Sequence, residues 1–142
     1  SLSGVLETLR VYRRLGIWLE VTTLLITGQN DDDAELKALA AFIVSELGPE
    51  TPWHVTAFYP AYKMLDVPPT RMETLLRART IGLEAGLKYV YTGNLYDADG
   101  ESTFCPGCNT RLLHRHGFTL QDNHIRQGCC ESCAAPIAGI WV

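Results

Sequence analysis

Cys105-Pro106-Gly107-Cys108 and Cys130-Glu131-Ser132-Cys133 decide how the last third of this chain folds. Each is a pair of thiols separated by two residues, and residues 109–129 lie between the pairs. A Cys-x-x-Cys knuckle turns the backbone so that both sulfurs face one point. Two knuckles on facing hairpins offer four thiolates, the tetrahedral set that zinc prefers. Two disulfides, or unpaired buried thiols, are the plainer alternatives. Disulfides belong to oxidising compartments, and nothing in the residues points to secretion. The spacing therefore predicts a metal site of Cys105, Cys108, Cys130 and Cys133. The ion is zinc or, with the same geometry, iron as in a rubredoxin-like site.

The 142 residues have room for one medium domain, or a smaller one with an appendage. With 46% hydrophobic and 20% charged residues, the chain has the make-up of a folded, non-membrane protein. A net charge of −4 argues against bulk attraction to nucleic acid or an anionic membrane. The richest apolar run, Ile17 to Ile26, is too short for a membrane span and carries Glu20 in its middle. Ser1-Leu2-Ser3 does not open a signal peptide, and four of the five cysteines sit in knuckles; a reducing cytoplasm is the expected compartment.

Upstream of the knuckles the chain alternates helix and strand. Residues 4–15 read as a helix with Ser3 as N-cap, with Val5, Leu9 and Tyr12 on one face, and with Gly16 at its end. Ile17 to Ile26 reads as a buried strand, and Thr27-Gly28-Gln29-Asn30 as a turn before an acidic helix start at Asp31 to Asp33. Leu36, Leu39, Ala40, Ile43, Val44 and Leu47 recur at helical spacing until Gly48-Pro49. Trp53 to Phe58 is a second strand. Thr70-x-x-Glu73 reads as a capping box for a helix reaching Gly86, and Lys88 to Tyr91 is a third strand.

The order αβαβαβ predicts parallel strands joined by right-handed helical crossovers. Three such units leave sheet edges and a face without cover, so this front is half of a barrel or doubly wound sheet. The rest is expected upstream of Ser1, in a second copy, or in a partner chain, and the first is favoured. Residues 1–93 are thus one unit, 94–103 a linker rich in Gly, Asn, Asp and Ser, and 104–142 a small module stabilised by its metal. Asp97-Ala98-Asp99-Gly100 resembles the start of a calcium loop but lacks the later ligands, and reads as a turn. Arg111 to His116, Phe118 to Gln121 and Ile137 to Trp141 are strand candidates.

Several runs resemble a known family. Trp18-Leu19-Glu20-Val21-Thr22-Thr23-Leu24-Leu25-Ile26 and Trp53-His54-Val55-Thr56-Ala57-Phe58-Tyr59-Pro60 are similar to the radical S-adenosylmethionine protein of the AmmeMemoRadiSam system. So are Tyr62-Lys63-Met64, the stretch from Ile81 to Asn94, and Pro136-Ile137-Ala138-Gly139-Ile140-Trp141. The resemblance covers essentially the whole chain, and that family is related to the activating enzyme of pyruvate formate-lyase. It implies a partial (β/α)6 TIM-like barrel. In it a 4Fe-4S cluster cleaves S-adenosylmethionine reductively to a 5′-deoxyadenosyl radical.

The family's cluster is held by a Cys-x3-Cys-x2-Cys loop after the first barrel strand, and no such spacing exists here. The chain therefore resembles the C-terminal part of that enzyme, and by itself is expected not to cleave S-adenosylmethionine. The family's knuckles usually read Cys-Pro-x-Cys-Gly. Here Asn109 and Ala134 stand in place of the glycines, and Glu131 in place of the second proline. Cys129 stands where the family has a basic residue and is left out of the ligand set.

Ligands of parallel barrels sit at the C-terminal ends of the strands. Those ends are Thr27 to Asn30, Phe58 to Lys63 and Thr92 to Asn94. Because the family's fifth and sixth strands cradle the adenosyl group, the resemblance implies Thr27, Gly28, Phe58 and Tyr59 as cofactor-binding residues. The plainer reading is that Gly28 permits a turn and Tyr59 packs on a helix. Lys63 is a candidate for meeting a carboxylate, or a solvated lysine. Arg79 falls on an apolar helix stripe; either its stem covers core and its head reaches water, the favoured reading, or it pairs with Glu20. His54, His114 and His116 read as strand or surface residues.

The rival function is a docking module without catalysis. Arg111, Arg115 and Arg126 add positive charge near the knuckles, but Asp122 and Glu131 offset it, so a protein partner or protein substrate is expected before nucleic acid.

Overall fold

The computed structural model describes residues 1–141; Val142, the last residue of the expected 104–142 module, lies outside them. The chain begins with α1 (Leu2–Arg14), then β1 (Val21–Leu25), α2 (Asp33–Phe42) with a π-helical last turn over Ile43–Leu47, and β2 (Trp53–Ala57). α3 (Met72–Glu84) and β3 (Val90–Gly93) complete the front. The three strands are parallel in the order β1-β2-β3, with Val21 opposite Trp53 and Trp53 opposite Val90. The alternation expected from the sequence is present.

One sheet face is buried. Leu25, Trp53, Val55, Ala57 and Val90 pack with Leu36, Ala40, Ile43 and Leu47 of the second helix and Leu75, Ala78 and Ile81 of α3. Trp53 is fully buried, and its indole N–H donates to Thr23 Oγ1 at 3.0 Å, so no polar atom is stranded. Asp32 caps α2, its carboxylate accepting from the Ala34 and Glu35 amides at 2.9 and 3.0 Å. α1 ends in a Schellman turn: Ile17 N–H reaches Tyr12 O, Gly16 N–H reaches Arg13 O, both at 3.1 Å, and Gly16 takes φ +72°.

Several local expectations are corrected. The first helix starts after Ser1 rather than Ser3, without a side-chain cap, and of its predicted face only Leu9 packs on the core. The first strand covers Val21–Leu25, not Ile17 to Ile26. Its neighbour β2 is preceded by Pro52, whose carbonyl takes the Val21 N–H at 2.9 Å but which has no N–H to offer an upstream residue.

Thr70 does not cap α3, for which Arg71 is the N-cap. Instead its buried hydroxyl donates to Leu25 O and accepts from Phe58 N–H at 2.9 Å, tying the ends of β1 and β2 together. Arg79 does not pair with Glu20; it is half-buried, and its Nε donates to Val90 O at 3.2 Å.

The two sheet edges differ. Trp53 N–H bonds to Tyr89 O, so by parallel alternation Val90 and Thr92 turn their main-chain groups outward. Both are met: Arg79 takes the Val90 carbonyl, and Gly100 O accepts the Thr92 N–H at 3.1 Å. On β1 the Val21–Pro52 bond sets the opposite phase, and Thr22 and Leu24 face outward with no strand beyond them among the described residues. Only the Leu24 carbonyl is taken there, by Asn30 Nδ2 at 3.0 Å.

The 94–103 stretch folds into turns whose Ser102 and Thr103 are buried. Beyond it β4 (Thr103–Phe104), β5 (Arg111–His116) and β6 (Thr119–Asn123) form an antiparallel sheet, and β7 (Ile125–Arg126) pairs with β8 (Cys129–Cys130). Ile137 to Trp141 is not a strand, contrary to expectation. Pro136 makes a single bridge to Cys129, and the chain then curls until Trp141 Nε1 donates back to Ile137 O at 2.8 Å. Tyr89 joins the two parts: its ring is buried with Leu112, Ile125 and Ile137, and its oxygen accepts from Ala138 N–H at 3.3 Å. Among the described residues no helix is long and apolar enough to cross a membrane.

Candidate metal centre

The two knuckles repeat one hydrogen-bond pattern. In the first, Cys105 N–H donates to Thr110 O, Asn109 N–H to Cys105 O, both at 2.9 Å, and Gly107 N–H to Cys105 Sγ at 3.4 Å. In the second, Cys130 N–H donates to Ala135 O, Ala134 N–H to Cys130 O, both at 2.9 Å, and Ser132 N–H to Cys130 Sγ at 3.3 Å. Each turn needs a left-handed residue after its second cysteine, and Asn109 and Ala134 supply it at φ +58° and +59°. Asn does so readily, Ala at a cost.

The knuckles face each other so that the four sulfurs all lie within 4.8 Å of one another. Cys105 and Cys130 are buried at the back, Cys108 and Cys133 exposed at the front. The contacts cross between knuckles: Cys105 Sγ lies 3.6 Å from Cys133 Sγ, and Cys108 Sγ 3.7 Å from Cys130 Sγ. Zinc–sulfur bonds of about 2.3 Å in a tetrahedron set sulfurs about 3.8 Å apart, so the cage fits a zinc-sized ion. All five cysteines are free.

The thiols feel this crowding. Cys108 is pulled down to about 6, first by the Thr110 hydroxyl and then by the Thr110 amide, which hydrogen-bond its thiolate. Cys133 is pushed up to about 12: the Ala135 N–H favours its thiolate, but the neighbouring sulfurs, Cys108 before Cys105, outweigh that. Four sulfurs held together without a cation resist sharing negative charge; a divalent ion removes that conflict.

Cys129 stands outside the cage. Successive strand residues point to opposite faces, so with Cys130 turned inward, Cys129 turns away from the cage. His114 approaches Asp122 at 3.6 Å and His116 lies against Tyr96, so neither joins the site. The 4Fe-4S group implied by the resemblance does not fit the residues present. Four of the five cysteines are committed to one cage, and no Cys-x3-Cys-x2-Cys loop exists.

Thr27, Gly28, Phe58 and Tyr59 lie together on the rim where the strands end. Thr27 Oγ1 donates to Pro69 O at 3.4 Å, and Gly28, at φ +72°, donates its N–H to Asp31 Oδ1 at 2.8 Å. Phe58 is buried, and the Tyr59 hydroxyl donates to Asn94 O at 3.0 Å. Lys63 Nζ sits 5.3 Å from the centre of the exposed Tyr62 ring.

Sequence reasoning missed how His54 is held. Its Nε2 lies 2.8 Å from Glu20 Oε2, and its ring stacks on Tyr91 at 5.0 Å. The alternation of β2 put His54 on the face away from the helices, but no local pattern could pair it with a residue 34 positions earlier.

No family model matches the chain. It is 48% identical over 139 residues to the uncharacterized protein MJ0808 of Methanocaldococcus jannaschii, an overlap taking in 96% of this chain and 42% of that protein. The chain thus spans less than half the length of the relative it matches.

Proposed function

We propose that this chain is the C-terminal portion of a radical S-adenosylmethionine enzyme: three βα units of a partial (β/α)6 barrel, followed by a zinc ribbon. The observation that carries the reading is the asymmetry of the sheet. Arg79 and Gly100 close the outer edge of β3, while β1 is open at Thr22. Further parallel strands can add only on the β1 side, the side of preceding βα units. A relative of more than twice this length is in keeping with that.

In this reading the rim residues Thr27, Gly28, Phe58 and Tyr59 form part of the wall against S-adenosylmethionine, and the cluster is held elsewhere in the whole protein. The chain alone performs no reductive cleavage. The four-cysteine cage offers an ion four protein ligands and no open position, which is the mark of a structural site. Zinc is the ion proposed, iron the alternative. Thiolates of this kind stay available in a reducing cytoplasm.

The test uses the whole protein, reconstituted with iron and sulfide under strict exclusion of oxygen. Cluster absorbance and reductive release of 5′-deoxyadenosine are expected, with zinc retained in the four-cysteine cage. An in-frame upstream sequence without a Cys-x3-Cys-x2-Cys loop, or an intact cluster that releases no 5′-deoxyadenosine, overturns the proposal.

A docking role for the ribbon is the second reading. Phe118 is fully exposed at the tip of the β5–β6 hairpin, and β6 has a free edge. A protein substrate or a partner of the system suits that tip better than nucleic acid, given the net charge of −4.

A further inference from the structure

The sheet face turned away from the helices is not empty surface. Together with the Cys-rich module it encloses a cleft of ≈ 800 Å³, a size common to small-molecule sites. Its floor is the His54–Tyr91 stack, with ring centres 5.0 Å apart and planes within 27°. Trp18 and Trp141 stand at its sides. Glu20 fixes the floor, accepting from Trp18 Nε1 at 3.1 Å and lying 2.8 Å from His54 Nε2.

Arg115 supplies the charge. It is half-buried beside the floor, its guanidinium carbon 5.8 Å from the Tyr91 ring centre. One nitrogen donates to Glu101 O at 3.2 Å and to Thr103 Oγ1 at 2.9 Å, and Thr103 in turn lies 2.8 Å from the Tyr91 hydroxyl. Those bonds orient the guanidinium without neutralising it. Among the described residues no carboxylate oxygen lies within 4 Å of Arg115; the cleft's two carboxylates are engaged otherwise, Glu20 with Trp18 and His54, and Glu101 with the Gly117 N–H. A positive charge held in place beside a flat aromatic floor, with no carboxylate paired to it, is a half-made recognition site.

We infer that this cleft binds a small molecule that carries a flat ring and an anionic group. The ring lies on His54 and Tyr91, and the anion meets Arg115. Carboxylate and phosphate share the chemistry, and both fit the fork of a guanidinium. The lining comes wholly from this chain; it reaches the strand-end rim at Thr92 to Asn94 but includes none of Thr27, Gly28, Phe58 and Tyr59, and the inference does not rest on the radical-enzyme reading.

The metal-loaded chain is titrated with 1-naphthoate, 1-naphthyl phosphate and the neutral 1-naphthamide, followed by amide chemical shifts and tryptophan fluorescence. Saturable shifts at Tyr91, Arg115 and Gly139 are expected. At least one anionic probe should bind about ten-fold more tightly than the amide, the size of effect a charge-assisted hydrogen bond gives. The tighter anion names the source. Arg115→Gln should abolish that gap and leave 1-naphthamide binding unchanged. If the variant does not fold, added salt on the unaltered chain serves instead, and should weaken the anions but not the amide. Equal binding of all three probes, shifts centred elsewhere, or no saturation overturns the inference.

Discussion

Cys105 Sγ lies 3.6 Å from Cys133 Sγ, its neighbour in space being the second cysteine of the other knuckle, 28 residues away. The cage therefore closes only when both knuckles are folded. Cys130→Ser should release the ion, and Cys105→Ser likewise, whereas Cys129→Ser should retain it. Elemental analysis of gel-filtered protein checks this, and loss of metal with Cys129→Ser alone would reverse the ligand assignment.

Metal removal should divide the molecule along its two cores. The ribbon cluster around Leu112 and Ile125 is small and gathers round Cys105 and Cys130, while the sheet–helix core from Leu25 to Val90 touches no ligand. Chelation should strip amide-exchange protection from residues 104–141 and leave it at Trp53 and Val55. Uniform loss across both would show that the front depends on the metal too.

Binding of the ion should weaken as pH falls, with a sharper decline below pH 6. Cys108, lowered to about 6 by Thr110, is a thiolate above that value and needs no proton removed; below it, one more proton must leave for each ion bound. A competition titration from pH 5 to 8 checks the change in slope, and Thr110→Val should move it to higher pH.

Ala134→Gly should stabilise the metal-loaded chain by about 1 kcal/mol, because Ala134 holds φ +59°, where a Cβ is penalised. Gly82→Ala should do the opposite. Its Cβ would lie 2.8 Å from Trp53 Cε3 and 2.9 Å from Val90 Cγ2, and overpacking of about 1–3 kcal/mol exceeds the gain in helix propensity. Denaturant unfolding measures both.

Thr70→Val keeps the shape and removes a hydroxyl that serves two strand ends. Leu25 O and Phe58 N–H lose that partner, and a loss of about 2–3 kcal/mol is expected. A change below half of that would mean water takes the hydroxyl's place.

The sequence by itself determined which four cysteines gather into one cage and the alternation of helix and strand. Both rest on short-range rules: two residues between thiols make a knuckle, and apolar spacing distinguishes a helix from a strand. The resemblance also put Asn109 and Ala134 where the family's knuckles carry glycine, and both take the left-handed conformation. Only the tertiary structure decided what depends on partners far along the chain. Thr70 looked like a helix cap because its local motif is one; the ends of β1 and β2, brought beside it by folding, offered its hydroxyl two main-chain partners instead. Arg79 took the Val90 carbonyl because a bare strand edge must be met by some donor. The Glu20–His54 pair and the uncompensated charge of Arg115 arise where the sheet meets the ribbon, a surface that exists only once two separately legible parts have packed together.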